Sequence, residues 1–360
     1  MTSSELEILR FYFPDPNEEE LEQALCILHT VLKFPDGRHL ELRGGLALCT
    51  ELFAKNIDFT FNRISHMTRS EVAEIDVMGK TDYFVSVLPS HIKYLFQYDI
   101  NKQFLAAMKQ VTLGSENPML EVTGNGSMLL PIYKESLEFR SFITSPGYCH
   151  ISQNINFSGQ PDWIVQGYEA LHPGQWLAFP HVNYLLDRGI SIPSDRHFLW
   201  KKFNGTTGRY LSPLATALIE ARAHIKDFPH SASRFIADET IKKMYSTFVQ
   251  SIRKKENLEQ NRVYHPEWTD MIIATGDVNL FRKLDQCSDQ PLFRFKDAVC
   301  WGSNDSEFTP NIDTADTAGK WHYQKKCAVT EEVVRNWEPA SYMASRLNKI
   351  MKTAEEFSCA

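Results

Sequence analysis

Residues 184–255 carry helical periodicity and a charge opposite to that of the surrounding chain, and this stretch limits the possible fold more than any other. LATALIEAR, at residues 214–222, and the run from Ser233 to Lys255 both repeat apolar residues at intervals of three and four. In the second run Phe235, Ile236, Met244, Phe248 and Ile252 are predicted to pack inward, with Lys242, Lys243, Arg253, Lys254 and Lys255 on the exposed side. Between Arg196 and Lys255, 12 Lys and Arg stand against 4 acids; elsewhere 26 basic groups face 41 acidic ones. The overall charge of −7 therefore hides a local +8. A basic block on an acidic body suggests an anion-binding surface, most simply for nucleic acid, and the competing reading is a set of solvated helix faces.

The remaining sequence supports a folded chain, since 23 Phe, 13 Tyr and 7 Trp exceed what a charge-driven disordered chain carries. The fold class read from periodicity is mainly α: a two-lobed helical protein with a small β-hairpin contribution and an extended arm or loop. Residues 1–13 read as an aromatic N-terminal arm. Residues 14–165 form an N-terminal helical lobe, opened by a helix with Asp15 as cap, Pro16 in its first turn and Glu18 at capping-box spacing. Further helices are expected at 90–96 and 101–111, and LEVTGNGSMLLPIY reads as a hairpin or connecting loop. Pro146-Gly147, Gly159-Gln160-Pro161 and Pro173-Gly174 punctuate the chain, so a boundary is expected between 146 and 180. A C-terminal helical lobe with the basic block then spans 166–303, an exposed loop 304–320, and a helical segment 321–360.

Motifs for chemistry are sparse. The sequence contains no HExxH, GxSxG, GxxxxGK[ST] or DDxxD-like group, and Gly124-Asn125-Gly126-Ser127 lacks the third glycine of a dinucleotide fingerprint. Seven dispersed cysteines without a CxxC favour a reducing compartment over a disulfide framework or zinc site. MTSSELEILRFYF does not read as a signal peptide, and no run of 18 apolar residues suggests membrane insertion. No cofactor, metal or catalytic residue is expected. Within the block, Arg196, Lys201, Lys202, Arg209, Arg222, Arg234, Lys242 and Lys243 are the candidate phosphate ligands. Trp200 and Phe203 lie among them, as core residues or as stacking platforms.

YLLDRGIS at residues 184–191, followed by LATALIEAR, resembles the C-terminal lobe of rhabdovirus-like nucleoproteins of non-segmented negative-strand RNA viruses. A second patch follows in the same order: EFTPNIDT at residues 307–314, then VVRNWEP and YMASRLNKIM. The resemblance implies a non-enzymatic protein that encapsidates single-stranded RNA between two helical lobes and self-associates into rings or filaments. It implies a viral phosphoprotein and polymerase as further partners, and a location in the virion nucleocapsid and the host cell interior. Arg196, Lys201, Lys202, Arg209 and Arg222 would face the RNA, with Arg140 of the first lobe opposite them; the arm and the 304–320 loop would be polymer contacts. Two other functions remain open: a helical metal-dependent enzyme acting on an anionic small substrate, and an interaction module without nucleic-acid binding.

Overall fold

The computed structural model describes residues 3–57, 83–84, 87–100, 102–114, 119–122, 128–129, 146–199, 207–260, 262–295, 298–315 and 317–340. Twelve strands are found among them: β1 (Tyr83–Phe84), β2 (Tyr94–Ile100), β3 (Leu113–Gly114), β4 (Met119–Val122), β5 (Met128–Leu129), β6 (Gly147–Ile151), β7 (Trp176–Ala178), β8 (Pro193–Leu199), β9 (Thr207–Gly208), β10 (Phe293–Phe295), β11 (Ala298–Ser303) and β12 (Trp321–Ala328). They form a five-stranded sheet of order β1-β10-β11-β2-β12, a two-stranded β3-β9 ribbon, and a second larger sheet, β4-β8-β6-β7, with β5 also on β8. Every pairing is antiparallel. The fold is therefore mixed α/β, which corrects the mainly helical expectation.

The missed strands share a cause. β2 alternates apolar and polar residues only over the five positions from Phe96 to Ile100, and the apolar run YLF with which it begins reads equally well as the end of a helix. Its partners β11 and β12 lie some 200 residues away in the chain, beyond any local window. β8 lies inside the basic block where helix was expected. Within LEVTGNGSMLLPIY the described residues belong to β4 and β5, and both strands pair with β8, at Met119↔Leu199 through Val122↔Arg196 and at Met128↔Ser194. Residues 321–328, expected to be helical, form β12.

Helices with strong local signals are present. Glu18–Val31 begins at a capping box two residues later than the Asp15 and Glu18 expected: Asn17 Oδ1 accepts from Glu20 N at 3.0 Å, and Glu20 Oε2 accepts from Asn17 N at 3.1 Å. Ser3–Tyr12 is a helix rather than a free arm. Leu9 is fully buried, and Glu5 Oε1 accepts from Leu42 N at 3.2 Å and lies 2.9 Å from His29 Nε2. The 304–320 loop is likewise held against the body, with the Phe308 ring 5.5 Å from Phe96 and Lys326 Nζ donating to Ser306 O at 2.8 Å.

The largest core joins Leu9, Leu25, Leu28 and Phe53 of the first helices to Leu214, Ile241, Met244 and Phe248. It spans the boundary expected between 146 and 180. The 21-residue helix Ser231–Ser251 is its centre, packing on Glu18–Val31 and Leu46–Asn56 through Ile236, Ala237, Thr240, Ile241, Met244, Tyr245, Phe248 and Val249. A second core lies under the first sheet with Phe96, Tyr98, Ile100, Val299, Trp301 and Trp321. The opposite face of that sheet is closed at one end by Val333 and Trp337 of the Glu331–Ala340 helix over Leu95, Cys300 and Cys327. This helix is capped by Thr330, whose Oγ1 accepts from Val333 N at 3.2 Å.

Candidate nucleic-acid interface

Antiparallel partners share a sheet face. The register pairs Gln97 with Cys300 and Lys325, and Asp99 with Ala298 and His322. All six side chains therefore belong to the face that Trp337 covers only at its other end. Beyond that cover the strand turns from Leu95 to Gln97 and Asp99, and the face from apolar to polar. A bulge in β12 between Tyr323 and Lys325 inserts Gln324, whose side chain bonds the Asp99 carboxylate.

Gln97 is 8% exposed. Its Oε1 and Asp99 Oδ1 are buried and accept no hydrogen bond from any described residue. A buried acceptor left unsatisfied costs about 1–3 kcal/mol, and two of them stand on alternate positions of one strand, on the same face. Burial raises the Asp99 carboxyl above its ordinary value; the Gln324 hydrogen bond, His322 and Lys242 pull it back. Lys242, on the Ser231–Ser251 helix, is thus near enough to act on a strand of the first sheet.

Lys242 shares its helix face with Phe235 and Glu239, at spacings of seven and three. Phe235 was expected to pack inward and is instead 63% exposed. The buried stripe runs through Ser233, Ile236, Ala237 and Thr240, and Phe235, about 100° round the helix from Ile236, is left on the solvent side. Lys242 Nζ lies 3.2 Å from Glu239 Oε1 in an exposed pair that water and salt screen. Cation and exposed ring therefore stand two turns apart on one face.

The other sequence candidates are dispersed. Arg222 is clamped by Asp238 through two 2.6 Å bonds and donates to Tyr245 Oη at 3.3 Å, which ties two helices together. Arg234 Nη1 donates to Lys226 O at 3.0 Å. The Lys243 ammonium sits over Tyr12 and Phe13, 6.0 and 5.6 Å from their ring centres. Arg196 lies on β8 in the second sheet, 5.4 Å from the Trp176 ring. Arg209 is exposed at the mouth of a separate cleft. Arg140, Lys201 and Lys202 lie outside the described residues. The described sequence candidates are thus spread over several elements, and of them Lys242 alone acts on the Asp99 carboxyl. Gln97, Asp99, His322 and Lys325 were missed; the sequence signal for the first two was the alternation of Phe96, Tyr98 and Ile100 with Gln97 and Asp99.

Among the described residues, no group of three or more His, Cys, Asp or Glu could hold a metal ion, and no helix is long and apolar enough to cross a membrane. No family model matches the chain, and no curated protein matches it. Solved structures do. Phi29 DNA polymerase complexed with single-stranded DNA aligns at a TM-score of 0.49 and 12% identity, over 85% of this chain and 55% of the polymerase. The same polymerase in a post-translocation binary complex with primer-template DNA aligns at 0.47 and 12%, over 79% and 52%. The chain spans about half the length of these structures, and a likeness at this level assigns no function to it.

Proposed function

We propose that the protein binds single-stranded nucleic acid across the polar end of the first sheet. One observation carries this reading: Gln97 Oε1 and Asp99 Oδ1 are buried acceptors without hydrogen bonds from described residues, on a face that also holds His322 and Lys325, and Lys242 acts on the Asp99 carboxyl. Lys242 and Lys325 take backbone phosphates, Phe235 stacks on a base, and base amines or ribose hydroxyls donate to Gln97 and Asp99. Encapsidation with self-assembly is the finer form of this proposal and rests on the two resembling patches. The Ser3–Tyr12 helix and the 304–320 loop pack on their own chain, so a polymer would need further contacts elsewhere.

A second reading follows from the same two oxygens. Carboxylate and amide oxygens are hard donors, so they suit a Mg²⁺ that in turn holds a phosphate.

Fluorescence anisotropy with several unrelated single-stranded RNAs tests both. Binding is expected for all of them, falling steeply with salt. The double variant Lys242→Glu/Lys325→Glu should weaken every RNA alike and make the salt dependence shallower by about two phosphate contacts. Phe235→Ala should cost about 1–3 kcal/mol without changing the salt slope. Absence of binding at about 50 mM salt sinks the proposal. Binding that vanishes with EDTA and returns with Mg²⁺ selects the second reading. Polymerisation is read from particle size and the 260/280 nm absorbance ratio of protein purified without nuclease.

A further inference from the structure

A cleft of about 360 Å³ opens between the helices Phe179–Asp187 and Pro266–Leu284, with the end of the Gln103–Gln110 helix and Arg209 completing its wall. Small-ligand pockets run from about 300 to 1,000 Å³, so this one suits a ligand of about one nucleotide. Its lining divides by chemistry. Arg209 and Arg282 stand on the rim, and no carboxylate is among the lining residues. Asp187 meets Arg282 from outside at 3.4 Å, in a pair whose side chains are both more than half exposed. Such a pair is worth little, and a guanidinium has five donors, so Arg282 can serve an anion as well. Phe179 and Met271 contribute apolar surface. Asn183 and Asn279 contribute amides, and Asn279 is oriented by its 2.9 Å bond from Nδ2 to Gln110 Oε1.

We propose that this cleft binds a small organic phosphate carrying a flat ring, with the phosphate on Arg209 and Arg282, the ring against Phe179 and Met271, and the amides on the ring edge. Guanidinium forks match phosphate oxygens in a bidentate manner; no lining carboxylate opposes them from within the cleft, and Arg282 shares its charge with Asp187 outside it. The site is separate from the sheet face of Lys242, and it stands or falls independently of nucleic-acid binding there.

Isothermal titration of the full chain with AMP, ribose 5-phosphate and adenosine, at about 50 mM salt, tests the assignment. AMP should bind one to one and more tightly than either fragment, since each fragment lacks one half of the recognition. Arg209→Ala and Arg282→Ala should each weaken AMP about tenfold, the loss expected when a charged hydrogen bond is removed. Thr275→Phe, which fills the cleft from the helix wall, should abolish binding while circular dichroism remains native. Lys242→Glu/Lys325→Glu should leave AMP unaffected even where it abolishes RNA binding, so the two proposals fail separately. No saturable AMP binding, or AMP binding indifferent to both arginine variants, overturns the assignment. A loss of RNA binding in Arg209→Ala with no AMP binding at all also overturns it, and makes Arg209 a contact for a strand rather than for a small ligand.

Discussion

Asp277 sits among buried polar groups that it must satisfy. Arg294, 2% exposed, donates from Nη2 to Asp277 Oδ1 and lies 4.5 Å over the Phe281 ring; His181 Nε2 is 4.0 Å from Asp277 Oδ2. Removing one member of a buried ion pair leaves the other charge without compensation, so Asp277→Ala should cost about 3–5 kcal/mol in urea unfolding. Asp277→Leu with Arg294→Met should recover most of that loss, because apolar replacement of both partners also removes their desolvation cost. Two other residues set an acid-side pH dependence with opposite signs. Burial pushes the Asp270 carboxyl up to about 6, and the hydrogen bond that Tyr148 Oη donates at 2.9 Å only partly offsets it. The folded state therefore holds the Asp270 proton more tightly than the unfolded chain, and this group adds stability as pH falls from about 6 towards 4. Burial lowers His181 to about 4, with Asp277 opposing. Its neutral ring is favoured by folding, so His181 removes stability as pH falls from about 6.5 to 4. The two effects offset each other in the wild type. Asp270→Asn should raise the Tm at pH 7.5 and expose the His181 slope, with stability falling more steeply on acidification than in the wild type.

At the level of elements, β11 and the Ser3–Tyr12 helix show how packing overrides local pattern. A Cβ at Gly302 would meet Leu292 Cδ1 at 2.6 Å and Ile92 Cγ2 at 2.8 Å, so the strand approaches its cover closely at that point. Gly302→Ala should destabilise by about 1–3 kcal/mol through overpacking, measured as a lower denaturation midpoint with an unchanged m-value. Leu9 is 0% exposed, and Leu9→Ala should cost about 2–5 kcal/mol, whereas a free arm would tolerate it. The i, i+4 stripe of Ser231–Ser251 was legible because it rests on contacts within one or two helical turns, whereas the capping box expected at Asp15 and Glu18 lies at Asn17 and Glu20. Phe235 was misassigned because a single position at the edge of a stripe is decided by the azimuth of the neighbouring helices.

For the whole molecule, composition and short-range pattern were enough to show that the chain folds, that a helix begins near Asp15 and others cover 101–111, 214–222 and 233–255, and that its basic charge is concentrated near the third quarter of the chain. These properties depend on composition and on periodicity over short windows. Tertiary structure alone decided that the chain is mixed α/β, because β2 finds β11 and β12 across some 200 residues and satisfies its backbone only there. It also decided which cations are available. Arg222, indistinguishable in sequence from a phosphate ligand, is held by Asp238, while Lys242 is brought towards Asp99. Charge is a property of residues and can be counted along the chain; whether a charge is neutralised, buried or presented beside an unsatisfied oxygen depends on which distant elements the fold sets next to it.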